Sequence, residues 1–522
     1  MKKLRKMCSI LIMLSMVMTM FTACGKPTKR TSGTDAPTDN SSAGTKVTGE
    51  ADEAPYEIVM PFVTVGTTPA DLGKVEAAIS EYTMQEINCT VKFKPVSITE
   101  LTTQYNLWTS SGEKVDLLFL FFSDLGSYVN EGKIVKLAEL MQYAPTISKE
   151  SEESPFLSGG YYNNELYAIP VINPAQGEGK AMYARTDLLE EAGYEKKDLY
   201  TYEDLDTIFA KIHAAHPDMT VMARAGAITT TYASGFINYD NLGNGSAAAG
   251  VLMNVGSDNT KVVNLYETDE YKELLQWQRK WYQAGYISKD APTTSDNAGD
   301  WVKAGRCAGF SIGDDTIGNQ ANIEASSGYD ITQLNIKSTY VTTNTYNQLR
   351  WCITTMSERP DKAMQFLDLL YNGEYLVNLI QNGIEGTHWV KTDDAKIIDF
   401  PEGINGVNTP FSNPLGIYGD KRNMSMFVPN TPDFYPISEQ YTADALTKQS
   451  AALGYAFVSD DYTTELAAIS SVLSQYLTTL EYGTVDIDST LPEFISALKN
   501  AGIDDVIAAN QKQLDEWLAA NK

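Results

Sequence analysis

"YEIVMPFV" (56–63), "LGKVEAAISEYTMQEI" (72–87) and "CTVKFKPV" (89–96) follow one another in one short stretch of chain. The first is a short apolar run. The second places Leu72, Val75, Ile79, Tyr82 and Ile87 at helical spacing. The third alternates with period two, as a strand does. A helical segment over 99–109 and a second apolar run, "VDLLFLFF" (115–122), extend the order to strand, helix, strand, helix, strand. That order predicts a parallel α/β sheet with helices on its faces.

Downstream, "YYNNELYAIPV" (161–171) reads as a hairpin leading to a crossover. Asp187, with Glu190 three residues later, is expected to cap the next helix, and Thr201 with Asp204 the one after it. "YKELLQWQRKWYQAG" (271–285) puts Tyr271, Leu274, Leu275, Gln278, Trp281 and Tyr282 on one broad face, which predicts core packing. Residues 235–257, rich in Gly, Asn and Ala, are expected to form a loop-rich insert or an irregular lobe edge. "GRCAGFSIGDD" (305–315) reads as a buried strand with a glycine turn, and "PDKAMQFLDLLYNG" (360–373) as a helix from Pro to Gly. The tail from about residue 463 is helical.

Before the first strand, residues 1–23 run from a basic start (Lys2, Lys3, Arg5, Lys6) through an apolar core to Thr22–Ala23, the layout of a bacterial export signal. Its apolar core is shorter than the roughly 20 residues of a membrane span. Phe21-Thr22-Ala23-Cys24 resembles a lipoprotein processing box, with lipid carried on Cys24. Residues 24–54 have little to bury and are expected to form a disordered tether.

Without the leader's four basic residues, 36 of the 40 Lys and Arg face 67 Asp and Glu, a formal charge of −31. Such a surface argues against nucleic acid as a partner. Nearly 500 residues beyond the leader exceed a single core, so two domains are expected. Cys89, Cys307 and Cys352 are widely spaced and odd in number, which predicts buried thiols rather than a disulfide scaffold. His213 and His216 make an H-x-x-H pair without a third ligand, so no metal or cofactor is expected. Nucleophile-elbow, Walker and dinucleotide motifs are missing, and the chain does not read as an enzyme.

"LYAIP" (166–170), "MYARTDLLEEAGY" (182–194) and "TYEDL" (201–205) resemble the middle segment of the extracellular solute-binding proteins of carbohydrate-type ABC importers (family 1-like). "DKAMQFLDLLYNGEYLVNLIQNGIEGTHW" (361–389), "LGYAFVSDD" (453–461) and "LKNAGIDDVIAANQKQLDEW" (498–517) are similar to a lipoprotein subgroup with a distinctive, DUF3502-like C-terminal domain. The sequence departs from that pattern at Asn382, Trp389 and Val458. The resemblance implies a two-lobed, type II-like periplasmic-binding-protein fold with an interlobe cleft and a helical C-terminal region. Lobe 1 would hold 55–170 and 340–400, and lobe 2 would hold 175–330 and 415–522. It further implies a monomeric, lipid-anchored receptor on the outer face of a Gram-positive cell membrane, which hands a saccharide to ABC permease transmembrane subunits.

Residues that leave strand ends, or stand where a large or charged side chain needs a reason, are the ligand candidates. Phe122, Ser123 and Asp124 follow the third strand, with Asp124 equally suited to cap a helix. Tyr161 and Tyr162 precede the crossover. Trp301 is either a platform or satellite core, and Ser311 and Asp314 end a strand. Glu385 and Trp389 sit in "GIEGTHW", where Glu385 serves either a pocket or buried amides. An oligosaccharide is the expected solute. A peptide or other non-sugar solute is the alternative, and it needs fixed charges for both chain ends. A surface glycoside hydrolase, with two placed carboxylates, or a structural or adhesion lipoprotein is a further class.

Overall fold

The computed structural model describes residues 54–228, 231–243 and 247–521. The expectations for residues 1–53, including the leader, Cys24 and the tether, lie outside the described residues. Residues 54–522 form one compact unit. Among the described residues its two large hydrophobic cores run from Ile58 to Leu518, and the compact unit that holds them begins at Ala54.

The first core begins as the periodicities predict. Strands Tyr56–Thr64 and Cys89–Ser97 pair in parallel, from Tyr56 opposite Cys89 to Thr64 opposite Ser97. The helix between them, Leu72–Ile87, buries Leu72, Val75, Ile79 and Thr83. The third strand departs from the expected parallel sheet. Leu117–Phe121 pairs antiparallel with Leu349–Ile353, which also pairs antiparallel with Ile169–Pro170. Asp116 explains the break. Its amide donates to the Val59 carbonyl at 2.7 Å, and its buried carboxylate accepts from the Val59 amide at 2.8 Å. A side chain thus takes the amide that a continuing ladder would have used.

The second core is built on a mixed sheet ordered Ile331–Lys337, Lys180–Arg185, Cys307–Asp314, Thr220–Met222. Helix Tyr202–Ala215 packs on it behind a capping box, with Thr201 Oγ1 accepting from the Asp204 amide and Asp204 accepting from the Thr201 amide. The cap expected at Asp187 does not form. The helix starts at Thr186, and Asp187 in its first turn pairs with Arg185 at 2.6 Å. Helix Asp269–Gln283 buries Tyr271, Leu274, Leu275, Gln278 and Trp281, the face read from the sequence. The expected loop-rich stretch at 235–257 contains two short paired strands, Tyr239–Asn241 and Val251–Met253. Helices Thr463–Glu481, Ile487–Asn500 and Ile503–Asn521 close the second core.

Among the described residues the chain passes between the cores three times. Two passages follow Ile172 and Lys337. The third follows Ala445, where Val341 accepts from the Ser450 amide at 2.9 Å and donates to the Lys448 carbonyl at 2.9 Å. Ile417, Tyr418 and Ala445 belong to the first core. Between 446 and 458 the chain packs on both cores, Leu453 and Val458 against the first and Ala452, Tyr455 and Phe457 in the second. Cys89, Cys307 and Cys352 are buried free thiols.

Candidate functional site between the two cores

A cavity of about 570 Å³ opens where the two cores face each other. Phe122 and Ser123, just after strand Leu117–Phe121, and Arg350 of its partner strand line it on one side, with Tyr239, Leu473 and Leu477 of the second core on the other. The crossing segments contribute Glu178, Lys180, Lys337, Tyr340 and Thr342.

Phe122 is the exposed aromatic of this wall. It directly follows strand Leu117–Phe121, its amide donates to the Gln348 carbonyl at 2.7 Å, and its φ is +47°. A bulky residue there is a strained outlier costing about 1–3 kcal/mol, the kind that clusters at ligand-binding positions. Its ring is 62% exposed and stands edge-on to Phe121 with centroids 4.6 Å apart. The backbone twist holds an apolar ring over the cavity instead of in the core.

Beside it, the Ser123 carbonyl accepts from the Arg350 guanidinium, which also donates to the Gly159 carbonyl at 3.1 Å. Arg350 is buried as the second residue of the otherwise apolar strand Leu349–Ile353, and desolvation pushes its pKa down to about 10. Asp124 acts as the helix cap, accepting from the Gly126 and Ser127 amides at 3.1 and 3.3 Å. On the opposite side, Lys337 Nζ donates to the Ser234 carbonyl (2.7 Å) and the Tyr340 hydroxyl (2.8 Å). Burial pushes Lys337 down to about 8, against the pull of nearby Glu178. Glu178 itself accepts from the Thr342 hydroxyl at 3.0 Å.

Beneath the cavity floor the lining residue Thr231 donates to Glu481, the last residue of helix Thr463–Glu481. Glu481 also accepts from the Tyr232 amide (2.6 Å) and the Tyr271 hydroxyl (3.0 Å). Burial pushes it from 4.5 up to about 7 despite these donors. A carboxyl with a raised folded-state pKa stabilises the fold fully below its unfolded value, and that contribution is lost as pH rises through the folded value. A difference of this size is worth on the order of 3 kcal/mol between pH 4.5 and 7. Asp240, pushed up to about 6 by burial, acts with the same sign. Thermal melts are therefore expected to lose stability from pH 5 to 8, and Glu481→Gln is expected to flatten that slope. Equal slopes for the two proteins would show that Glu481 does not take up the proton.

Of the other sequence candidates, Tyr161 lies at a separate cavity of about 370 Å³ beside Trp517. Tyr162 is buried, its hydroxyl accepting from Asn130 at 3.1 Å. Trp301 belongs to a satellite cluster with Val302 and Cys307, its Nε1 donating to Asp296 at 3.0 Å. Ser311 is half-buried in strand Cys307–Asp314, and exposed Asp314 pairs with Lys180. Glu385 is exposed and pairs with Lys391 at 3.1 Å. Trp389 is buried, its Nε1 donating to the Gly383 carbonyl at 2.9 Å. The cavity thus gathers Phe122 and Ser123 from the candidates, with Asp314 one step behind through Lys180.

The sequence reading missed Glu178, Lys337, Tyr340 and Arg350. A signal was present, since Arg350 in "LRWCI" (349–353) and Lys337 at the end of "ITQLNIK" (331–337) place cations in otherwise strand-like runs. Among the described residues, no group of three or more His, Cys, Asp or Glu could hold a metal ion. His216 pairs with Glu191 at 2.8 Å.

The family model described as bacterial extracellular solute-binding protein matches residues 67–375, and a domain of unknown function (DUF3502) matches 451–519. A carbohydrate ABC transporter substrate-binding protein of Streptococcus pneumoniae serotype 4 is 26% identical over 482 residues, covering 89% of this chain and 92% of its own. Lipoprotein LipO of Bacillus subtilis strain 168 is 23% identical over 487 residues, covering 86% of this chain and 89% of its own. The crystal structure of the N-glycan transport solute binding protein NgtS from S. pneumoniae superposes with a TM-score of 0.75 at 24% identity, over 90% of this chain and 100% of that one. Its complex with Man1GlcNAc gives 0.65 at 25% identity, over 89% and 99%. The fold is that of the α/β periplasmic-binding-protein class with a helical C-terminal extension.

Proposed function

The chain belongs to the bacterial extracellular solute-binding protein family, and from that premise we propose that it is the substrate-binding receptor of an ABC importer for an oligosaccharide. Lobe 1 comprises the first core and lobe 2 the second, including the C-terminal helices. The observation that carries the reading is the interlobe cavity with Phe122 held out over it. A sugar presents flat C–H faces and a rim of hydroxyls. An exposed ring covers such a face, while Glu178, Thr342 and Lys337 offer polar partners to the rim.

Solute touching both walls makes the closed form dominant, and the permease then receives it from that form. Lipid on Cys24 ties the receptor to the outer face of a Gram-positive membrane. A relative named as a lipoprotein supports that placement.

The first test is a thermal-shift screen of the chain from Ala54 onward against mono- and oligosaccharides, with peptides in parallel. Binding to the folded form alone raises the melting temperature, by about 2.7 kcal/mol of stability at one hundred times Kd. A shift with one saccharide class supports the reading. Glu178 and Lys180 set opposite fixed charges on one cavity, the pattern a peptide's two ends require. Shifts with peptides alone would therefore replace the saccharide by a peptide.

A further inference from the structure

We propose that the sugar taken by the cleft carries an anionic group, held by the cationic side of the cavity at Arg350 and Lys180. This deepens the saccharide reading and rests on it. Among the described residues, three of the four charged ones lining the cavity are basic, Lys180, Lys337 and Arg350 against Glu178. The chain as a whole has the opposite balance, 40 basic residues to 67 acidic.

Among the described residues the one lining carboxylate is already engaged. Glu178 accepts from Thr342 and lies in the field of Lys337. Lys180 shares Asp314, whose side chain is 61% exposed on the solvent side. Arg350 is different. Among the described residues no carboxylate comes within ion-pair distance of it, its hydrogen bonds go to two neutral carbonyls, and its Nε–H is buried without a partner. A guanidinium has five donors and cannot shed its charge at neutral pH. One carboxylate, Asp124, acts on it from beyond ion-pair distance while capping the helix at Gly126 and Ser127; burying a guanidinium with so little counter-charge is costly, and the cost falls when an anion arrives.

Lys337 adds to the surplus, with two of its three ammonium donors used on Ser234 and Tyr340. Both buried cations have pKa values lowered by desolvation, to about 8 for Lys337 and about 10 for Arg350, the response of charges lacking sufficient counter-charge. A neutral sugar would leave this imbalance in place after closure. A carboxylate or sulfate on one ring would cancel it.

The test is calorimetry on the chain from Ala54 with matched pairs. The probes are uronic-acid oligosaccharides of several backbones and their methyl esters, with a sulfated and an unsulfated neutral oligosaccharide beside them. The free acid, or the sulfated sugar, is expected to bind at least tenfold tighter than its uncharged partner. The gap narrows in 0.5 M salt through screening, and the two arms identify which anionic group is read. Lys180→Gln, a change at a partly exposed position, is expected to shrink the gap with the melting temperature unchanged. Arg350→Gln should shrink it further. Equal or tighter binding of the uncharged partner overturns the proposal and leaves the saccharide reading standing. A heat with peptides and with no sugar of either kind overturns both.

Discussion

Phe122→Ala weakens saccharide binding by roughly thirty-fold, about 2 kcal/mol, because the apolar face of one sugar ring loses its cover. The free protein should melt at nearly the same temperature, since the ring is 62% exposed and outside the core. The loss is expected in the dissociation rate, as for most changes within one interface. Titration calorimetry with the saccharide found by thermal shift checks it. A fall in affinity with unchanged melting places the sugar against Phe122. Unchanged affinity moves the binding face elsewhere in the cavity.

Trp351→Ala is expected to have the largest effect on stability, about 3–5 kcal/mol, as for a large aromatic removed from a packed core. Trp351 is 1% exposed, stacks on Tyr418 with centroids 5.4 Å apart and packs against Phe119 at 5.1 Å. Its Nε1 also donates to the buried Ile417 carbonyl at 2.7 Å, so the substitution leaves both a cavity and an unpaired acceptor. In a body of two cores the melting transition of the first should fall by roughly 10 °C, with the second following its own course. A drop of less than about 3 °C would mean that the neighbours collapse into the space. Because Arg350 is next in the chain and anchors Ser123, saccharide affinity should fall with it.

The elements were legible where one face of the chain meets one core. The helix Leu72–Ile87 and the strand beside it carry their burial in their periodicity, and the capping box at Thr201 is written in four consecutive residues. The partner of Leu117–Phe121 was not legible. It arrives more than two hundred residues later at Leu349–Ile353, and the break from a parallel sheet turns on a single buried carboxylate, Asp116. At the site, Phe122 could be found because it follows a strand end. Tyr162, Trp301 and Trp389 obey the same local logic, yet their polar atoms are satisfied by Asn130, Asp296 and Gly383 inside their own surroundings. Lys337 and Arg350 become cavity residues only through the crossing of distant segments, which no local period records. Their charge in apolar company was the trace left in the sequence.

A receptor of this kind closes over one sugar. Small-angle X-ray scattering of the chain from Ala54, titrated with the saccharide that raises its melting temperature, tests that claim most directly. The radius of gyration should fall in one saturable step that ends at one equivalent, with the sugar recovered unaltered. A radius that stays constant at saturation contradicts closure, and a cleaved sugar contradicts the receptor.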